Sequence, residues 1–109
     1  MFINNSKMYS WMCDLFPINR SLTGKGVRET LEYLSGLIPD MNIYSVESGT
    51  RAFDWNIPDE WRIDDAYIED SEGNKIVDFK KNNLHVVGYS IAIDEWLELD
   101  ELENYLHSL

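Results

Sequence analysis

Asp65-Ala66-Tyr67-Ile68-Glu69-Asp70-Ser71-Glu72-Gly73-Asn74-Lys75-Ile76-Val77-Asp78-Phe79 is the stretch that decides the fold class. Asp65 to Asp70 alternates through Ala66, Tyr67 and Ile68, as a half-buried strand does. Asp70 to Asn74 is turn composition, with a glycine where the chain must reverse. Lys75 to Phe79 then reads as the returning strand of a β-hairpin. Further strand signals lie on both sides. Met41 to Glu47 alternates, with β-branched Ile43 and Val46 and aromatic Tyr44, and Ser48-Gly49-Thr50 is a turn. Ala52 to Ile57 is expected to be one short strand carrying Phe53 and Trp55, stopped by Pro58. Asn82-Asn83 is another turn, and Leu84 to Tyr89 is expected to be a further strand. About five short strands result.

Upstream the period changes. Met8, Trp11, Met12, Leu15 and Phe16 fall at i, i+3, i+4, i+7 and i+8, the apolar stripe of a helix. Asn5 or Ser6 can cap it, and Pro17 ends it. Residues 17–26 are polar, hold two glycines and read as a loop. Val27, Leu31, Leu34 and Ile38 then space as a second helix, with Thr23 as its cap and Gly36 and Pro39-Asp40 as its stop. At the other end Leu99, Leu102, Leu106 and Leu109 mark a short acidic helix from about Glu98. The expected fold is α+β: an N-terminal helical hairpin, a small and mostly antiparallel β-rich unit, and a short C-terminal helix. The compositional boundary falls at residues 47–50. An apolar pattern that runs to Leu109 with no cap predicts that the chain is a fragment.

Of the 109 residues 44% are hydrophobic and 13% aromatic, which is globular rather than disordered stock. The charge is unusual, at −11. Residues 1–54 carry five basic and six acidic residues, whereas residues 55–109 carry four basic and fourteen acidic, a net −10. Such a surface repels phosphate backbones and anionic headgroups, so nucleic acid and membrane surfaces are not expected partners. The single cysteine excludes an internal disulfide and a thiolate zinc cage. No apolar run reaches membrane-spanning length, and Met1 to Met8 lacks the pattern of a secretory leader, so a cytoplasmic location is expected.

Chemistry-bearing candidates are few. His85 and His107 have no ligand partner at helical spacing, and both are expected to be surface or hydrogen-bonded histidines. Seven carboxylates between Asp59 and Glu72 lie on strand and turn positions where charge is simply solvated. Cys13 has no basic neighbour and is expected to be a partly buried small hydrophobe. Leu22-Thr23-Gly24-Lys25-Gly26 contains a Gly-Lys pair but lacks the glycine and hydroxyl of a phosphate-binding loop. Arg20, Lys25 and Arg28 surround a helix start and can hold an anion, pair with Glu29 or Glu32 of the same helix, or meet acidic residues of the 55–109 half and lock the two halves together. Trp55 and Trp61 flank Pro58 and can either plug a core or stack on a ligand such as a sugar. The residues alone assign no catalytic and no metal site.

Arg20-Ser21-Leu22-Thr23-Gly24-Lys25-Gly26-Val27-Arg28-Glu29-Thr30-Leu31 opens a series that continues through Ser48-Gly49-Thr50, Phe53-Asp54-Trp55, Ile57-Pro58-Asp59-Glu60-Trp61 and Asp65-Ala66-Tyr67-Ile68. It ends in Lys75-Ile76-Val77-Asp78-Phe79-Lys80-Lys81-Asn82-Asn83-Leu84-His85-Val86-Val87. In that order these motifs resemble the N-terminal part of a bacterial family of aminopeptidase-like zinc hydrolases, often labelled polysaccharide-biosynthesis proteins. The resemblance runs from about Met8 to Leu109. It implies an α/β/α zinc-peptidase domain interrupted by a small β-rich inserted domain and followed by a winged helix-turn-helix. Residues 1–48 would open the peptidase domain and 49–109 the insertion. The family's His, Asp and Glu ligands match nothing here, so the resemblance implies zinc in the parent and none on this segment. Glu98, where the family tends to place a Ser-type cap, and Gly88 in a strand are local departures.

The function expected is that of a non-catalytic segment of a peptide- or amide-hydrolysing enzyme. Its partners would be the remainder of the parent chain, with a peptide-like substrate held by the parent, and a homo-oligomer is compatible. The alternative is a binding or regulatory module, glycan-related, beside a relic peptidase domain.

Overall fold

The computed structural model describes residues 5–107. Two helices come first, α1 (Asn5–Leu15) and α2 (Lys25–Leu37). Four short strands follow: β1 (Arg51–Ala52), β2 (Trp55–Asn56), β3 (Tyr67–Glu69) and β4 (Lys75–Asp78). They form two separate antiparallel pairs, β1–β2 and β3–β4. A 3-10 turn at Asn83–His85 and a short helix α3 (Leu99–Leu102), continued as a 3-10 turn over Glu103–Tyr105, complete the order. This is a small α+β unit.

The decisive hairpin forms as its turn chemistry dictates. Tyr67 pairs with Asp78 and Ile68 with Val77, and an irregularity follows before Glu69 pairs with Lys75. Gly73 sits at φ 84°, the left-handed region that the reversal needs. Asp70 Oδ1 accepts from the backbone N–H of Glu72 and of Asn74, both at 2.9 Å. The Lys75 ammonium stands 4.1 Å over the Tyr67 ring, and Lys80 pairs with Asp65 at 2.9 Å.

Elsewhere the strand expectations need correction. Ala52 to Ile57 is a hairpin rather than one strand, because Phe53 takes φ 56° and turns the chain between Ala52 and Trp55. Its ladder is extended by the N–H of Gly49 donating to Ile57 O and the N–H of Ile57 donating to Thr50 O, each at 2.8 Å. Met41 to Glu47 forms no strand, since no second strand lies beside it among the described residues. Leu84 to Tyr89 forms none either. Asn82 caps a 3-10 turn there, its side chain accepting from the Leu84 N–H at 3.0 Å. Thr23 does not cap α2: Gly24 is the N-cap, and the Thr23 hydroxyl is enclosed with no hydrogen-bond partner among the described residues. At the far end Leu106 lies beyond α3 and its 3-10 turn, and Leu109 lies outside the described residues.

Among the described residues no side chain is fully buried. The chain exposes 9731 Å², against about 6,300 Å² for a compact protein of its mass. Its radius of gyration is 18.1 Å, where about 13 Å is usual for this length. Trp11 and Leu15 are only half-buried, while Met8, Met12 and Phe16 project into solvent from α1. Cys13 is exposed too, contrary to expectation, because nothing covers that face of α1. The secondary structure is set locally, and the layer that would bury its apolar faces is not supplied by these residues.

Candidate functional site

The best-organised region is the junction where the loop before α2 meets residues 59–63 and 83–90. Its floor is a close backbone approach. A Cβ on Gly26 would lie 1.8 Å from the Asn19 carbonyl oxygen, so only glycine fits in the first turn of α2. Gly24, at φ 123°, is the one buried residue among those described, and a Cβ there would meet the Trp61 carbonyl at 3.3 Å. The loop read as polar punctuation is therefore a packing surface.

The three cations expected at this helix start have three separate partners. Arg20 donates from its guanidinium to Leu15 O at 2.8 Å and to the Thr30 hydroxyl at 3.2 Å, stapling the end of α1 to α2. Lys25 faces Glu29 at 3.5 Å, one turn along its own helix. Arg28 reaches out of the helical half to Glu60 in a fork, one nitrogen to Oε1 and the other to Oε2 at 3.1 Å. The hydrogen bond from Arg28 holds the Glu60 carboxyl below the usual carboxylate range, and the same bond raises Arg28. Both side chains are about half exposed, so the fork orients the halves more than it stabilises them. A second tie is Asn83, whose amide donates to Phe16 O at 2.6 Å. The helical pair is tied a second time by the Tyr33 hydroxyl donating to Asp14 at 2.6 Å.

The two tryptophans part company. Trp61 is half-buried and stacks on Tyr89, with centroids 6.1 Å apart and planes 28° from parallel. Its indole N–H donates to Ser90 O at 2.9 Å, and the Tyr89 hydroxyl donates to Asp59 O at 3.3 Å. These contacts hold Tyr89 at φ 63°, a left-handed conformation that costs a non-glycine residue about 1–3 kcal/mol. Trp55 lies in β2, 51% exposed, and plugs no core.

A half-open cleft lies beside the junction, between Lys25, Gly26, Glu29 and the Trp61–Ile63 segment. The cations on its rim are already paired, Lys25 with Glu29 across the rim and Arg62 with Asp64 beside it at 2.7 Å. Among the described residues no group of three His, Cys, Asp or Glu side chains is placed to hold a metal ion. His85 is exposed, and its Nδ1 lies 3.1 Å from the Asp78 carbonyl, which places the proton on Nδ1. Sequence reading missed Glu60, Asn83 and Tyr89. Only the acidic excess after residue 54 signalled that Arg28 would find a partner there. No helix among the described residues is long and apolar enough to cross a membrane.

Three likenesses bear on this arrangement. Residues 60–109 match the model of a domain of unknown function, DUF2172. Over 113 aligned residues the chain is 47% identical to a Clostridium acetobutylicum protein named "Putative polysaccharide biosynthesis protein with aminopeptidase-like domain", covering 99% of this chain and 26% of that protein. A crystal structure from the same organism, titled as that of a "putative peptidase", matches 95% of the chain with a TM-score of 0.89 and 48% identity. The chain covers 24% of that structure. It spans about a quarter of each of these longer proteins, and along nearly its whole length it is similar to them in sequence and in fold.

Proposed function

We propose that this chain is a non-catalytic, scaffolding part of a zinc-dependent aminopeptidase-like hydrolase, in which the longer polypeptide cleaves a peptide or amide bond. The observation that carries this reading is a pairing of likeness and deficit. The chain takes the shape of a quarter of a longer peptidase-titled protein, yet buries no side chain of its own among the described residues. Among the described residues no three His, Cys, Asp or Glu side chains are grouped to hold a metal ion, and no step of hydrolysis is assigned to any of them. Their part is to hold the Arg28–Glu60 junction and present apolar faces to the rest of the polypeptide.

The test compares the 109-residue chain with the longer polypeptide made when it replaces its matching quarter in the clostridial relative. Zinc per chain after dialysis and cleavage of aminoacyl p-nitroanilides are measured for both. The longer form is expected to hold zinc and to cleave, with loss on chelation, while the short chain does neither. One tightly held zinc on the short chain, or a longer form that cleaves with no metal bound, overturns the reading.

A further inference from the structure

We infer that the cleft between the start of α2 and the Trp61–Ile63 segment is a binding site for a free α-amino acid with an apolar side chain. Its volume is about 280 Å³, room for about nine water-sized groups and close to the lower end of small-ligand pockets. That suits an aliphatic amino acid and is too small for a nucleotide or a sugar chain. The lining divides by chemistry. Ile18, Trp61, Ile63 and Phe79 are all half-buried, an apolar floor already partly out of water. Lys25, Glu29 and Arg62 line the same cleft and are exposed. Charges of both signs beside an apolar floor match a ligand that carries an ammonium, a carboxylate and an apolar body.

The rim opens easily. Lys25 and Glu29 stand 3.5 Å apart with side chains 70% and 46% exposed, a surface pair that contributes little. A zwitterion whose carboxylate meets Lys25 and whose ammonium meets Glu29 keeps both charges paired while it separates them. Arg62 gives one guanidinium nitrogen to Asp64, and its others donate to no acceptor among the described residues, which leaves them for the same carboxylate. The floor is fixed in advance, the Trp61 indole N–H by Ser90 O and its ring by Tyr89. Other ligand classes fit less well. A polyanion meets a chain of net charge −11. A sugar needs several uncharged polar groups, and the lining offers one side-chain amide, that of Asn19.

Heteronuclear NMR of the 109-residue chain, titrated with L-leucine, tests the site with neither metal nor hydrolysis involved, so its outcome is independent of the enzyme reading. Leucine is expected to bind with a dissociation constant on the order of 1 mM. It should shift the Trp61 indole and the Gly26 and Ile63 amides and leave the Trp96 indole, which is no part of the lining, in place. N-acetyl-leucine lacks the ammonium and mimics a peptide C-terminus, whereas leucinamide lacks the carboxylate and mimics a peptide N-terminus. Each is expected to bind about tenfold more weakly than leucine. Glu29→Gln should weaken leucine about tenfold and N-acetyl-leucine not at all, and Arg62→Gln should weaken leucine while sparing leucinamide. Both positions are exposed, so the Ile68–Val77 NOEs should persist in each variant and report an intact fold. No shifts at about 10 mM leucine, equal binding of either derivative, or shifts that both variants leave unchanged overturns the proposal.

Discussion

The two hairpins reverse the chain in similar ways and are supported very differently. β3–β4 closes on itself through Asp70 in its turn, Gly73 at its left-handed position, the Lys75–Tyr67 contact and the Lys80–Asp65 pair. β1–β2 places Phe53 at a left-handed position, 96% exposed, and its one side-chain tie is the Arg51 guanidinium donating to Phe53 O at 3.2 Å. A hairpin that carries its own polar closures is complete as a local object. One that places an aromatic at a strained tip draws its support from elsewhere.

The sharpest way to break the contrast is Asp70→Ala. It removes the acceptor of two backbone bonds and of the Asn74 amide contact at 2.9 Å. Cross-strand NOEs between Ile68 and Val77 should vanish while those between Ala52 and Trp55 persist. Gly73→Ala should weaken the same hairpin by about 1–2 kcal/mol, read from the temperature at which those NOEs fade. Phe53→Gly should act in the opposite direction on the other hairpin. Relief of the left-handed strain strengthens β1–β2 by about 1 kcal/mol, visible as larger Ala52–Trp55 NOEs.

Acid provides the gentlest probe. The bond from Lys80 holds the Asp65 carboxyl below its ordinary value, and the Asn74 amide does the same for Asp70. Carboxyls lowered in this way lend stability above their unfolded value, near 3.8, and lose it as pH falls through the lower folded value. The Ile68–Val77 NOEs should therefore hold at pH 6 and decline below about pH 4. A hairpin as firm at pH 2 as at pH 6 would show that these carboxylates contribute nothing.

What could be read from sequence follows the same division. α1, α2 and β3–β4 were legible because their signals are local: an apolar stripe at helical spacing, a proline stop, a turn of Asp, Gly and Asn. Met41 to Glu47 was misread as a formed strand because a strand is a property of two segments, and only one is here. Leu84 to Tyr89 was misread because the Asn82 cap outweighed the β-branched run that follows it. In the candidate site, Arg28 was legible as a cation seeking an acid, but Glu60 stands 32 residues away, beyond any spacing rule. The role of Gly26 was hidden for a different reason: a close backbone approach leaves no trace in residue type beyond a glycine in a loop already rich in them.

That approach has a consequence for loop length. Surface connections usually absorb insertions at small cost, because closure entropy grows slowly with length. The span from Asn19 to Gly26 is pinned at both ends, by the carbonyl seated on the Gly26 backbone and by Arg20 gripping α1 and α2 together. A residue added there lifts the carbonyl off its seat and draws Gly24 away from Trp61, and a residue removed leaves the ends too far apart to meet. For grafting or epitope insertion, the tip of β1–β2 is the permissive place, and the loop before α2 is a gauge block whose length is part of the fold.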